Sequence, residues 1–289
     1  MRSDKYLVYN QISSCLTNLS LKKYIDIHYK DDNWRSSVND IKKLLDKEDL
    51  NDYDTLAAHI FLCRAYSLGE KNSQALEVIN SSGKHINDLD KNIQGNMPLK
   101  GFGCHTYAIT LGYMGKKNDS RYKKYFSEAE KIYNQLDAES DLADLLIQSI
   151  DLDYYYDEAR GIPDLIKKYG KIPENLVEEK DIHLRFGIMN LMGYIKINKT
   201  NLLNHSVTQF KTYIKAHSED HYKNYFARCG LIIANSFKGE DFTKISLKTP
   251  QGALSKAKRF PLILFLIIRA LRLRGQNKKV YKFFLEAER

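Results

Sequence analysis

Helix breakers are scarce in this chain. Five prolines and fifteen glycines are spread over 289 residues, and they fall between stretches of regular hydrophobic spacing. That scarcity favours an all-helical chain. Cysteine is scarce too: Cys15, Cys63, Cys104 and Cys229 lie far apart in helix-like stretches. They read as small buried hydrophobes in a reducing compartment, not as a disulfide frame. The longest apolar run, 260–268, is nine residues and contains Pro261, too short to span a bilayer. The opening stretch MRSDKYLVYNQISSCLTN lacks the apolar core and small-residue cleavage site of a signal peptide. A cytoplasmic location is therefore expected. The hydrophobic fraction of 43% supplies a core and excludes a disordered chain.

Catalytic signatures are also missing. There is no G-x-S-x-G, no H-E-x-x-H and no Gly-rich loop between a strand and a helix. Gly112 to Lys117 holds glycine and lysine together without P-loop spacing or its Ser/Thr, and reads as a helix stop. His217 and His221 have the i, i+4 spacing of a shared metal, with Glu219 and Asp220 between them. They lie between two predicted helices, where polar residues collect anyway. No catalytic, cofactor or metal residue is assigned, and the expectation is a non-enzyme.

What is present is helical periodicity. In 55–79, Leu56, Ile60, Cys63 and Tyr66 form one stripe and Ala75, Leu76 and Ile79 another, with Gly69 at the stop between them. A helix pair this short cannot bury its own stripe and needs neighbours. Further segments follow. One covers 4–18, one 20–29, and one 34–47 with Trp34 as packing anchor. Then come 102–113 with 120–136, 140–157 with 164–169, 183–197 with 202–216, 222–237, and 261–273 with 278–288. Between them, 83–100, with Gly95 and Pro98, reads as a long connection or irregular helix, and 239–252 as a second break. Twenty tyrosines read mainly as spacers between stacked helices.

Ala65-Tyr66 followed by Ala75-Leu76, ten residues from alanine to alanine, resembles the tetratricopeptide (TPR) repeat. That repeat has a small–aromatic pair in its first helix and a small–apolar pair in its second. Elsewhere the likeness is architectural: five or six helical pairs at roughly 36–45 residues, against 34 in the consensus. The resemblance implies an all-α array, or solenoid, of antiparallel hairpins. Residues 1–50 would form an N-terminal helical cap and 51–289 the array, ending in a basic hairpin at 250–289. In such arrays the first helices line a concave face on which a peptide or partner helix lies. That places Arg64, Tyr107, Arg185, Lys196, Arg269 and Arg272 on the face. They are cationic or aromatic, so the expected ligand is an acidic peptide or a C-terminal carboxylate.

Charge is uneven along the chain. Residues 250–289 hold ten Lys/Arg, among them Arg269, Arg272 and Lys279, against two acids. Residues 137–158 hold eight acids and no Lys or Arg, at mixed helical phases, so most should face water. The basic end suits nucleic-acid phosphates, the acidic middle of a second copy in a head-to-tail homo-oligomer, or the polar outer face a terminal repeat needs. The leading expectation is a protein- or peptide-binding adaptor, chaperone or regulator. The alternative is a nucleic-acid-associated regulator using 250–289. The Lys-, Asn-, Ile- and Tyr-rich composition fits an A/T-rich bacterial gene.

Overall fold

The hydrophobic stripes of the sequence become helices that lean on their neighbours. The computed structural model describes residues 7–30, 34–47, 50–69, 71–90, 93, 95–117, 119–156, 162–169, 172, 180–216, 222–241 and 244–245. All elements among these residues are helices, twelve in number. They are α1 (Leu7–Cys15), α2 (Leu19–Lys30), α3 (Trp34–Lys47), α4 (Asp52–Leu68), α5 (Asn72–Asp88), α6 (Asn96–Tyr113), α7 (Ser120–Gln135), α8 (Glu139–Tyr156), α9 (Ile162–Tyr169), α10 (Lys180–Ile197), α11 (Thr200–Ala216) and α12 (Tyr222–Lys238). From α2 to α7, and again from α9 to α12, each helix packs on the next, with additional contacts of α1 and α4 with α6, of α2 with α4 and of α10 with α12. The chain divides into two compact units, residues 1–148 and 149–289. Residues 1–50, read from the sequence as a separate cap, fall inside the first unit with α4 to α7. The side chain of Trp34, the basic hairpin of 250–289 and the His217–His221 cluster lie outside the described residues and side chains.

In the first unit α6 is the central helix. Every residue from Pro98 to Gly112 is buried, and α1, α4, α5 and α7 all pack against it. A helix without a polar face has to lie inside the fold. The stretch 83–100 is therefore not a long loop. Helix α5 runs on to Asp88 and α6 starts at Asn96. Gly83 lies inside α5, where the missing Cβ leaves room for the Tyr125 hydroxyl, 2.6 Å from where it would stand. Pro98 occupies the first turn of α6, where its missing N–H costs nothing. The break itself is made by Gly95, whose φ of +84° is a left-handed conformation that suits glycine.

A carboxylate ties the start of α4 to the α1–α2 turn. Asp54, 1% exposed, accepts from the Thr17 hydroxyl at 2.6 Å and from the Asn18 N–H at 2.8 Å. Asn51 caps α4 by accepting from the Asp54 N–H at 2.8 Å. Tyr9 of α1 donates to the Asp26 carboxylate of α2. Asp54→Ala would leave the Thr17 and Asn18 amides without their carboxylate, a loss of about 1.5–3 kcal/mol for charged hydrogen bonds. The only tryptophan, Trp34, belongs to this unit. Urea unfolding followed by its fluorescence is expected to show the loss as a lowered midpoint.

The second unit is built around α10, which packs on α9, α11 and α12. Phe210 of α11, fully buried, fills the space left by Gly187 of α10 and Gly230 of α12. The small face read from Ala227, Gly230 and Ala234 is buried as a whole. Tyr194 of α10 and Phe237 of α12 meet edge to face, 5.3 Å between ring centres. Among the described residues no helix is long and apolar enough to cross a membrane.

Candidate functional site

Among the described residues of the first unit two cavities border α4. The larger, about 990 Å³, lies against the first half of α4, the last turns of α5, the end of α1 and the start of α6. Its wall mixes Tyr53, Leu56 and Ile93 with His59, Ser81 and His85. Ile93 is 57% exposed there, a large apolar side chain offered to solvent. His59 Nδ1 donates to the Thr55 carbonyl at 2.8 Å, since a carbonyl can only accept. Asp52, Asp88 and Asp90 add carboxylates to the lining. Tyr53 donates to the Gly95 carbonyl at 3.3 Å, and burial raises its phenol above the ordinary value, with Cys15 adding to the shift.

The smaller cavity, about 220 Å³, lies where the second half of α4 meets α6 and α8. Arg64 and Ser67 line it from α4, Thr106 and Thr110 from α6, and Gln148 from α8. The i, i+3 and i, i+4 spacings put each pair on one side of its helix. The Arg64 guanidinium stands over the Phe102 ring, 5.5 Å from its centre. Thr106 is 3% exposed, and its hydroxyl has no hydrogen-bond partner among the described residues. Gln148 donates to Asp144 at 3.0 Å.

Two buried titratable groups are coupled electrostatically to Arg64. Burial pushes the Asp141 carboxyl up to about 7, against the pull of the Val8 N–H bond and the Arg64 charge, with Asp144 adding to the rise. Burial, with help from Arg64, pushes His105 down to about 3, while Gln148 acts in the opposite sense. His105 Nδ1 lies 3.0 Å from the Tyr133 hydroxyl. Burial also raises the Cys63 thiol to about 12. Cys63, Cys104 and Cys229 are buried, Cys15 is half-buried at the larger cavity, and all four are free thiols.

The residues singled out from the sequence are thus dispersed. Arg64 borders the small cavity. Tyr107 does not line an exposed face: it is fully buried, its hydroxyl 2.5 Å from that of Ser82 and its ring edge-on to Tyr125. Helix α6 has no exposed side for it to occupy. Arg185, half-buried, and Lys196, exposed, both lie on α10 in the second unit, three turns apart. Arg269, Arg272 and Lys279 lie outside the described residues. Within the acidic run, Asp137 and Asp144 are exposed and Asp141 is buried, whereas the side chains of 151, 153, 157 and 158 are outside the description. The sequence reading does not single out Thr106, Thr110, Gln148 or His105, and it includes Asp141 only within the acidic run. A signal was present: His105, Thr106 and Thr110 are polar residues inside an otherwise apolar helix.

Among the described residues no group of three or more His, Cys, Asp or Glu side chains is placed to hold a metal ion. No protein-family model matches this chain, and neither a curated protein nor a solved structure does.

Proposed function

We propose that this chain is a recognition protein without a catalytic step of its own, which binds a peptide or a short protein segment. The observation that carries the proposal is the 990 Å³ cavity of the first unit. Its volume falls in the range of ligand pockets, and it mixes apolar side chains with a few convergent polar groups, as such pockets do. The packing of α4 on α6 and of α10 on α12 supports an array of TPR-like hairpins as the scaffold. An adaptor or regulator role follows from that scaffold. The formal charges on this cavity wall, Asp52, Asp88 and Asp90, favour a cationic side chain at this point of the ligand.

The test is selection of peptides from a displayed random library on the full chain, followed by affinity measurement with Ser81→Trp. Ser81 is exposed on α5 and lines the cavity, so the indole fills the space without touching the core. Selected peptides are expected to lose at least tenfold in affinity to this variant. Unchanged affinity for every selected peptide would remove the cavity from the account.

A further inference from the structure

We propose that the larger cavity holds a lysine or arginine side chain of the bound segment against the carboxylates of Asp52 and Asp88, with an aliphatic neighbour of that residue on Ile93. This rests on the recognition reading above and names the kind of segment recognised. Charge complementarity comes first. The formally charged residues on the wall are Asp52, Asp88 and Asp90, and no Lys or Arg lines it, so its field favours a cation. Asp52 and Asp88 are exposed, and neither forms an ion pair among the described residues.

Helix ends separate the two carboxylates. Asp52 lies in the first turn of α4, where the positive end of the helix dipole favours an acid with or without a ligand. Asp88 is the last residue of α5, at the negative end, where an acid is disfavoured. The dipole gives the fold no reason for an acid there. A ligand cation gains twice, from the carboxylate and from the helix end. The protein itself uses this end of α5 in that way. The Lys100 ammonium, on a side chain of a residue 7% exposed, donates to the Asn87 carbonyl at 2.9 Å. Lys100 does not line the cavity, and its one charge leaves the three acids in excess.

The apolar part of the wall lies next to the acids. Leu89 and Ile93 follow α5 directly and line the cavity, and Ile93 is 57% exposed. The carbon stem of a basic side chain and an aliphatic neighbour would cover them. A quaternary ammonium is served less well, because Tyr53 is the only Phe, Tyr or Trp ring on the wall and such ions are held by aromatic cages.

The experiment is an amide-resolved NMR titration of the full chain at pH 8, above the ordinary range of imidazole titration. The probes are acetyl-Leu-Lys-Leu-amide, the same peptide with norleucine or glutamate in place of lysine, and calcium chloride, all at constant ionic strength. The lysine peptide is expected to give saturable shifts in 51–59 and 85–96, with an affinity on the order of millimolar for so short a ligand. The norleucine peptide should bind about threefold more weakly or worse, and the glutamate peptide weaker still. Asp88→Asn should weaken the lysine peptide about threefold and leave the norleucine peptide unchanged. The unfolding midpoint of that variant should be equal or higher, because an acid leaves the negative end of α5. A merely structural role for Asp88 would not move those two readouts apart. Equal affinity for the lysine and norleucine peptides, lysine binding unaffected by Asp88→Asn, the same shifts with calcium, or no saturable shifts would each overturn the proposal. Equal binding of both peptides, lost in Ser81→Trp, would remove charge selection and leave the recognition reading in place. Binding of either peptide that ignores Ser81→Trp would remove both.

Discussion

Asp141→Asn is expected to stabilise the first unit at pH 8 and to change the shape of its pH profile. The Asp141 carboxyl titrates at about 7 in the folded chain against an ordinary 3.8. Between those values the folded chain holds a proton that the unfolded chain has released, so stability falls as pH rises through that window. At about 1.4 kcal/mol per unit, the burial of this charge costs on the order of 4 kcal/mol at pH 8. Asparagine keeps an oxygen for the Val8 N–H and removes the charge.

His105 carries the opposite slope. Its imidazole titrates at about 3 against an ordinary 6.5, so the unfolded chain binds the extra proton between those values. Stability then rises with pH through that window, by a similar amount. In the native chain the two slopes oppose each other between about pH 4 and 6.5, and their joint contribution is nearly flat. In Asp141→Asn the His105 slope stands alone, and stability should climb steadily to pH 6.5 and then level off. Urea unfolding at pH 4.5, 6 and 8, read from Trp34, checks this. A variant profile running parallel to the native one would contradict the assignment of the opposing slopes to this pair.

Gly230→Ala is expected to destabilise the second unit, although alanine is the better helix former by up to about 1 kcal/mol. The added Cβ would stand 2.6 Å from Cε2 and 2.8 Å from Cε1 of Phe210. The ring has little room to withdraw, because it already lies so close to the Gly187 backbone that a Cβ there would stand 2.7 Å from the same Cε1. Overpacking of a well-filled core costs about 1–3 kcal/mol, so strain exceeds the propensity gain. Phe210→Ala removes the ring and should cost about 3–5 kcal/mol. Phe210→Leu combined with Gly230→Ala should be more stable than the sum of the two single changes, since the smaller side chain makes room for the methyl. Hydrogen exchange of the α10–α12 amides reads all four proteins. Strict additivity would show that the ring does not hold the three helices in register.

How far the sequence leads can be seen element by element. Helix α3 was read at 34–47 and is found at Trp34–Lys47, because Val38, Ile41 and Leu44 form an unbroken buried stripe bounded by polar residues. The α4 stop at Gly69 is likewise in place. Boundaries differ in 83–100, where the sequence pattern reads Gly and Pro as breakers. Tertiary space around Gly83 and the first-turn position of Pro98 decide those cases, and neither is visible locally. The site was less legible than the fold. Tyr107 was placed by analogy with an exposed first helix, yet α6 is enclosed on every side. Asp141 was counted among solvated acids because its neighbours are acidic. Its phase four residues before Leu145, within the buried row of α8, was the better indicator. Arg64 was placed on a first helix by the same resemblance, and it borders the small cavity. Its companions Thr106 and Thr110 come from a helix more than forty residues away in the chain, and only packing brings them to it.

The most direct test of recognition by the first unit is a hydrogen-exchange footprint of a library-selected peptide on the full chain. Slowed exchange in 51–56, 81–90 and 95–97, the segments around the larger cavity, is the predicted result. Protection confined to the second unit would contradict it and move recognition away from α4 altogether.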